Sequence, residues 1–306
     1  MTRVLVLGRG GQLALSLAER AAAGDRPFSF VGRPDIDLER PETLRRSIAE
    51  SDAGVIVNAA AYTAVDLAED EPERAHAVNA VAPGIMAAAA REAGARLVHF
   101  STDYVFDGSG ERPWTENDRP APLGVYGRTK LDGEAAVRAE HPEGHVILRT
   151  AWVYSPFGRN FVGTMLALAR THPHLNVVGD QVGNPTSALD LADAVLAMLA
   201  AWDRAPQTGL GATYHLAGPE AVSWARFAEE IFAISRSLGG PSASVEAIAS
   251  SAWPARAPRP LNSRLNSERF AQTFGYRAPP LRNALQDVVE RLVRGSSGPG
   301  TTEESS

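Results

Sequence analysis

There is no cysteine among the 306 residues of this chain. Disulfides, thiol nucleophiles and thiolate metal sites are therefore excluded. Nor is there an excess of positive charge. Thirty basic residues stand against 36 acidic ones, for a net charge of −6 with His neutral. No chain-wide basic field is available to hold nucleic acid or an anionic membrane surface. No apolar run approaches the roughly 18 residues that read as a bilayer-spanning helix. The N-terminal run Val4-Leu5-Val6-Leu7 is too short for the core of a secretory signal. The alanine-rich stretch near 82–90 is flanked by charge and reads as an ordinary helix. These absences lead us to expect a cytoplasmic protein with neither a nucleic-acid nor a membrane partner. Its 44% hydrophobic and 22% charged residues are ordinary globular usage, so a packed core is expected, in one large domain or a main domain plus a smaller lobe.

What is present first is an alternation. Short apolar runs at 4–7, 28–31, 55–57, 97–100 and 146–148 read as strands. Helical patterns at 12–22, 41–50, 72–93 and 126–139 separate them. Strands alternating with helices imply right-handed crossovers and a parallel sheet. The fold class expected is therefore α/β, a Rossmann-like doubly wound sheet over residues 1–150. The alternation loosens after Arg149. Helical patterns near 161–170, 189–201 and 224–234, and strands near 176–178, 214–216 and 245–248, suggest a smaller C-terminal lobe over 151–294, with about 185–220 returning to the first domain. Ser223 stands where it can cap the helix that follows. Pro254, Pro258 and Pro260 make an irregular segment, and the polar end, 295–306, reads as a disordered tail.

The loop Gly8-Arg9-Gly10-Gly11-Gln12-Leu13-Ala14 follows the first strand and opens the first helix. A pyrophosphate needs that arrangement. Glycines permit a tight turn and close backbone approach, and the helix start offers free N–H groups at the positive end of its dipole. The pattern alone is weak evidence; its strand–turn–helix setting strengthens it. An NAD site commonly has an acid at the end of the second strand. Here that strand ends Val31-Gly32-Arg33-Pro34, and Arg9 lies in the glycine loop. Two cations without a carboxylate favour the 2′-phosphate of NADPH, while Asp35 is near enough to curl back and leave NADH open. Asp37 and Leu38 are placed beside the adenine. Asn58-Ala59-Ala60-Ala61 follows the third strand with side chains small enough for a cofactor to lie close.

Tyr126 and Lys130 are four apart on a helical pattern and share a face. Ser101-Thr102-Asp103 ends the fourth strand. Together they suggest carbonyl reduction. Tyr126 would give its proton to the developing alkoxide, and the Lys130 cation would lower the phenol's usual pKa of about 10. Lys130 would also reach the nicotinamide ribose, and Thr102 would hold the carbonyl oxygen. A Tyr/Lys pair alone is common on surface helices. Three features in order along one alternating sheet are not.

With these residues in place, the chain resembles the extended short-chain dehydrogenase/reductases and, among them, the dTDP-4-dehydrorhamnose reductase family. The resemblance runs from about Arg3 to at least Phe270. It rests on 57–66 (VNAAAYTAVD), 101–106 (STDYVF), 125–130 (VYGRTK), 149–154 (RTAWVY), 184–186 (NPT) and 259–266 (RPLNSRLN). It implies an NADPH-dependent reduction of a dTDP-4-keto-6-deoxysugar, with Tyr126 as proton donor, Lys130 as its partner and Thr102 tuning the tyrosine. It matches Gly11, Gln12, Leu13, Asp37, Leu38, Ala61, Tyr62 and Thr63 to cofactor positions. Thr102, Asp103, Trp152 and, less firmly, Tyr104 match substrate positions. Arg259 and Arg264 could meet a substrate diphosphate or could only brace an irregular loop. Some relatives dimerise around a magnesium ion held by glutamates. The matching positions here are Ser16 and Leu189, so no metal is expected and the assembly is a monomer or another homodimer. A related 4,6-dehydratase would carry Asp-Glu where this chain has Asp103-Tyr104. The alternatives are a 4-ketoreductase for another dTDP-deoxysugar and a non-catalytic NADP-binding regulatory subunit.

Three further signals are assigned structural roles. The acidic run Glu69-Asp70-Glu71-Pro72-Glu73 reads as solvation of a helix start. His172-Pro173-His174 lacks a third ligand and reads as a solvated turn. Trp224, Phe227, Ile231 and Phe232 have helical spacing and read as core.

Overall fold

The strand Val4–Leu7 (β1) buries all four of its side chains, on alternate faces. Val4 and Val6 join an apolar cluster with Leu13 and Leu17 of the helix Gln12–Ala21 (α1). Leu5 and Leu7 join a second with Leu44 and Ile48 of Pro41–Ala49 (α2). A strand covered on both faces is what a parallel, helix-sandwiched sheet requires. The structure, a computed structural model, describes residues 1–295. Its main sheet adds Phe28–Val31 (β2), Val55–Asn58 (β3), Arg96–Thr102 (β4), His145–Thr150 (β5) and, beyond a long excursion, Ala212–His215. From one edge the order runs Ala212–His215, β5, β4, β3, β1, β2, with every pairing parallel. The chain turns to β2 on one side of β1 and then crosses to β3 on the other. The carboxyl ends of β1 and β3 therefore flank the switch point, where ligands bind in such sheets.

The helical pattern at 72–93 is not one α-helix. It is Pro72–His76 (α4, after a short α3 at Val65–Ala68), a π segment at Ala77–Val81, and Ala82–Glu92 (α5). Pro83 has no N–H to give the carbonyl of Asn79, four residues back. That carbonyl instead lies against the helix Val125–Glu140 (α6), where a Cβ on Gly133 would come within 2.0 Å of it. The Asn79 side chain accepts from the Tyr62 N–H at 2.9 Å and donates to Thr129 of α6 at 3.3 Å. The π segment thus seats α6 against the sheet, a use such segments often have near sites.

Residues beyond β5 form an apolar cluster of their own. Val162, Met165 and Leu166 meet Phe227, Ile231 and Phe232, together with Leu285, Val288 and Val289. They lie on the helices Phe161–Leu168, Trp224–Ser237 and Leu281–Gly295. Ser223 caps the second of these, accepting from the Arg226 N–H at 3.1 Å. The strand His174–Val178 pairs in parallel with Ser244–Ile248. Helix Ala188–Arg204 packs on α1, so this part of the chain covers the main sheet. The helices Glu268–Phe274 and Leu281–Gly295 were not read from the sequence, although Leu281, Leu285, Val288 and Leu292 repeat at helical spacing. Gly295 closes the last helix rather than starting a tail, and the rest of the expected tail, 296–306, lies outside the described residues. Among the described residues no helix is long and apolar enough to cross a membrane.

Candidate active site

Two clefts meet at the carboxyl edge of the sheet. The first, of about 560 Å³, is lined by Gly8, Arg9, Gly10, Gly11, Gln12 and Leu13, by Arg33 and Leu38, by Ala60, Ala61 and Thr63, and by Tyr126 and Lys130. Gly8 has φ +132°, a backbone state that side chains resist. Its N–H donates to the Val31 carbonyl at 2.7 Å. A Cβ there would stand 3.4 Å from the Ala59 backbone, whereas one on Gly10 would meet nothing within 4 Å. The loop is therefore pinned at its root and open towards the cleft. The cap residue of α1, Gly11, offers no side chain to the first-turn N–H groups, which leaves them for an anion. These residues fit the diphosphate of a dinucleotide. At the far end Arg9 donates to Asp35 at 2.7 Å, and Arg33 reaches Glu39 only at 4.0 Å. Asp35 does curl back onto a cation of this cleft. Asp37 and Tyr62 are not among the lining residues. The Asp37 carboxylate accepts from the Glu39 N–H at 3.1 Å, and the Tyr62 hydroxyl donates to Glu71 at 2.9 Å.

The second cleft, of about 580 Å³, is lined by Tyr104, by Phe161, Met165 and Leu168, by Asn176–Val178, by Trp224, and by a strap from Ser250 to Arg259 that includes Trp253. Trp224 is thus a wall residue and not only core: its helix turns Phe227, Ile231 and Phe232 inward and leaves the indole at the rim. Trp152 lies behind it, stacked ring on ring with centroids 3.5 Å apart. Its φ of +47° is unusual for a bulky residue, and a Cβ on Gly183 would approach its ring to 2.6 Å. The strap is tied down by carboxylates of the acidic segment. Arg259 donates to Asp66 at 2.8 Å, the Ala257 N–H donates to the same carboxylate at 3.1 Å, and Arg256 pairs with Asp70. The Arg259 Nη1 is buried without a hydrogen-bond partner. Arg264 lines neither cleft; it donates to the Asn262 side chain at 3.0 Å and braces its own loop.

The wall between the clefts carries the titratable groups. Tyr126 faces the first cleft and meets Tyr104 of the second edge to face, with centroids 5.5 Å apart. The buried Thr102 hydroxyl donates to Asp103 at 3.0 Å and accepts from the Tyr104 N–H at 3.2 Å. Burial pushes the Tyr126 phenol up to about 12, Thr102 pulls it down and the Asp103 carboxylate pushes it up. Burial likewise raises Asp103 to about 6, against the pull of Ser263 and Thr102. Burial lowers Lys130 to about 8, with Glu134 opposing. The Lys130 ammonium donates to the Phe100 carbonyl at 2.7 Å. The sequence-based expectation that Lys130 lowers the phenol is not met in the chain by itself: enclosure raises the hydroxyl, and the group that opposes it is Thr102. Beneath them Glu134, fully buried, accepts from Ser101 at 2.6 Å and from Arg149 at 2.8 and 2.7 Å.

The family model described as the RmlD substrate binding domain matches residues 1–294. The dTDP-4-dehydrorhamnose reductase of Sinorhizobium fredii is 43% identical over 95% of this chain and 98% of its own length. The chain belongs to the dTDP-4-dehydrorhamnose reductase family. The solved family member from Bacillus anthracis, in complex with NADP, superposes with a TM-score of 0.85 at 30% identity, over 94% of this chain and 98% of that one. A Streptomyces antibioticus protein, named as a probable dTDP-4,6-dihydroxy-2-methyloxan-3-one 4-ketoreductase, is 36% identical over 97% of this chain and 98% of its own.

This reductase also has lining residues that sequence reasoning missed. Thr150, Val153 and Leu191 complete the first cleft, and Arg159 adds an exposed cation that makes no ion pair among the described residues. They arrive from the end of β5, from the segment that follows it and from helix Ala188–Arg204, all far along the chain from the glycine loop. The acidic run is likewise more than helix solvation, since Glu69 accepts from the Val125 N–H of α6 at 2.7 Å.

Proposed function

We propose that the chain reduces the 4-keto group of dTDP-4-dehydro-L-rhamnose to dTDP-L-rhamnose, with NADPH as reductant and Tyr126 as proton donor. One observation carries the reading: Tyr126 lines the first cleft while its ring edge meets Tyr104, a wall of the second. A proton donor must stand where cofactor and carbonyl meet. NADPH, when bound, supplies the hydride to C4. The phenol, at about 12, is protonated at neutral pH and is more acidic than the alcohol that results, so its proton moves to the alkoxide oxygen. Thr102, its one hydroxyl proton turned from Asp103 to the carbonyl oxygen, holds that oxygen facing Tyr126. Lys130 as ammonium stabilises the phenolate left behind, which recovers its proton from solvent. Tyr104 borders the sugar, Asp103 is buried behind it, and Trp152 backs the pocket. Arg259, with a buried donor to spare, meets the diphosphate. Arg9 and Arg33 meet the cofactor's 2′-phosphate.

In this reading residues 1–150 are the dinucleotide-binding domain, and 151–294 are mainly the substrate lobe, with about 185–220 belonging to the first. All these residues come from one chain, so a monomer or a homodimer serves equally. The Streptomyces relative favours a second reading, a 4-ketoreductase for another dTDP-deoxysugar. Both are tested by mixing the protein with NADPH and dTDP-4-keto-6-deoxyglucose, with and without a 3,5-epimerase, and following nicotinamide absorbance. Oxidation only with the epimerase supports the first reading. Oxidation without it supports the second. In either case Tyr126→Phe should lower kcat on the order of 10²–10⁴-fold; a variant that keeps its rate removes Tyr126 from the mechanism.

A further inference from the structure

We propose that Glu69 is a positioning residue for Tyr126: a carboxylate from a distant segment sets the start of the helix on which the proton donor stands. This rests on the reading of Tyr126 given above. Helix α6 begins after Gly124, which has no side chain with which to cap it. The Val125 N–H, immediately before Tyr126, donates instead to the Glu69 Oε1 at 2.7 Å. A carboxylate at the positive end of a 16-residue helix is favoured both by charge-assisted hydrogen bonding and by the helix dipole.

The surroundings show that the contact is built in. A Cβ on Gly124 would stand 2.6 Å from the Glu69 Oε1 and 3.6 Å from Pro258 of the strap, so a side chain there would push the carboxylate aside. One turn on, a Cβ on Gly127 would stand 2.2 Å from the Tyr104 carbonyl. The first turn of α6 is thus clamped between Glu69 on one side and the Tyr104 backbone on the other. Ala68, next to Glu69, is fully buried with Ala75 and Val125, and the rings of Tyr62 and Tyr126 pack on that cluster. Asp66 and Asp70, flanking Glu69, hold Arg259 and Arg256 of the strap. One short segment therefore ties the roof of the second cleft to the helix that carries the proton donor. Reactions between held groups are sensitive to such fixing, since a misplacement of about 1 Å can cost on the order of 10²-fold.

The experiment compares Glu69→Ala, Glu69→Gln, Gly124→Ala and Tyr126→Phe in the full chain. It measures kcat and KM for the keto-sugar, the NADPH Kd by cofactor fluorescence, and Tm. Glu69→Ala should lower kcat about tenfold or more with the NADPH Kd unchanged. Glu69→Gln, whose amide oxygen can still accept from Val125, should recover most of that loss. Gly124→Ala, whose Cβ displaces the carboxylate, should lose kcat as Glu69→Ala does, and it decides the matter if Glu69→Ala does not fold. The proposal is overturned if a folded Glu69→Ala or Gly124→Ala variant keeps the wild-type kcat. It is also overturned if kcat, NADPH affinity and Tm fall together without rescue by Gln. If Tyr126→Phe is inactive while Glu69→Ala is not, only the positioning role falls. If Tyr126→Phe is active, the proton-donor reading falls first.

Discussion

The two clefts are built in opposite ways. The first is made of backbone. Its floor is a glycine loop and the small residues after β3, with main-chain N–H donors at a helix start, and side chains such as Arg9, Arg33 and Lys130 stand around that floor. The second is made of side chains. Its walls are Phe161, Trp224, Trp253 and Tyr104, and its cation, Arg259, is held in place by a carboxylate nearly two hundred positions away in the chain. A backbone site repeats wherever a strand, a turn and a helix follow one another. A side-chain site exists only after distant segments have folded together. The difference teaches where to look for cofactor binding and where for choice of substrate.

That contrast can be tested, beginning with the largest effect. Arg259→Ala removes a charged donor from the second cleft while leaving the first untouched. It should raise KM for the dTDP-keto-sugar about 10–100-fold, the equivalent of one charge-assisted hydrogen bond, with KM for NADPH unchanged. Steady-state kinetics with each substrate varied in turn checks this, and a parallel rise in both KM values would mean that the clefts are not independent. A smaller effect is expected at the exposed end of the first cleft. Arg33→Ala should reduce the preference for NADPH over NADH by about 1.5-fold to fivefold, the scale of an exposed charge contact. Asp35→Asn, which frees Arg9 from its pair, should raise that preference. The smallest effect is in pH. Lys130 sits at about 8 and acts as a cation, so its contribution is full below that value and is lost as pH rises through it. The kcat/KM, which reports groups of the free enzyme, should fall about twofold from pH 7 to pH 8 and steeply beyond. The phenol at about 12 contributes no fall in that range. A profile flat to pH 10 would show that the Lys130 charge is not needed.

Much of the main sheet and its glycine loop was legible from the sequence. Strand β1 and the glycine loop are contiguous, and their pattern is local, so periodicity and turn chemistry locate them. Tyr126 and Lys130 were legible for the same reason, being four apart on one helix. Where the reading failed, the deciding contact was not local. The π segment at Ala77–Val81 owes its form to Pro83 and to α6 pressing on Asn79. Trp224 has the spacing of a core residue, and only its helix's orientation puts the indole at a rim. Glu69 looks like one acid in a solvated run until α6 is brought beside it. The helices near the C-terminus show that even a local signal is passed over when the alternation that frames it has ended.

The sequence by itself determined the α/β class, the dinucleotide loop and the Tyr/Lys pair, because each depends on residues a few positions apart whose geometry the backbone fixes. Only the tertiary structure decided the state of those groups and the shape of the second cleft. A pKa depends on burial and on charges brought in through space, and so the phenol stands at about 12 rather than below its ordinary value. A cleft walled by side chains from Tyr104 to Arg259 depends on packing between segments, which no local pattern encodes.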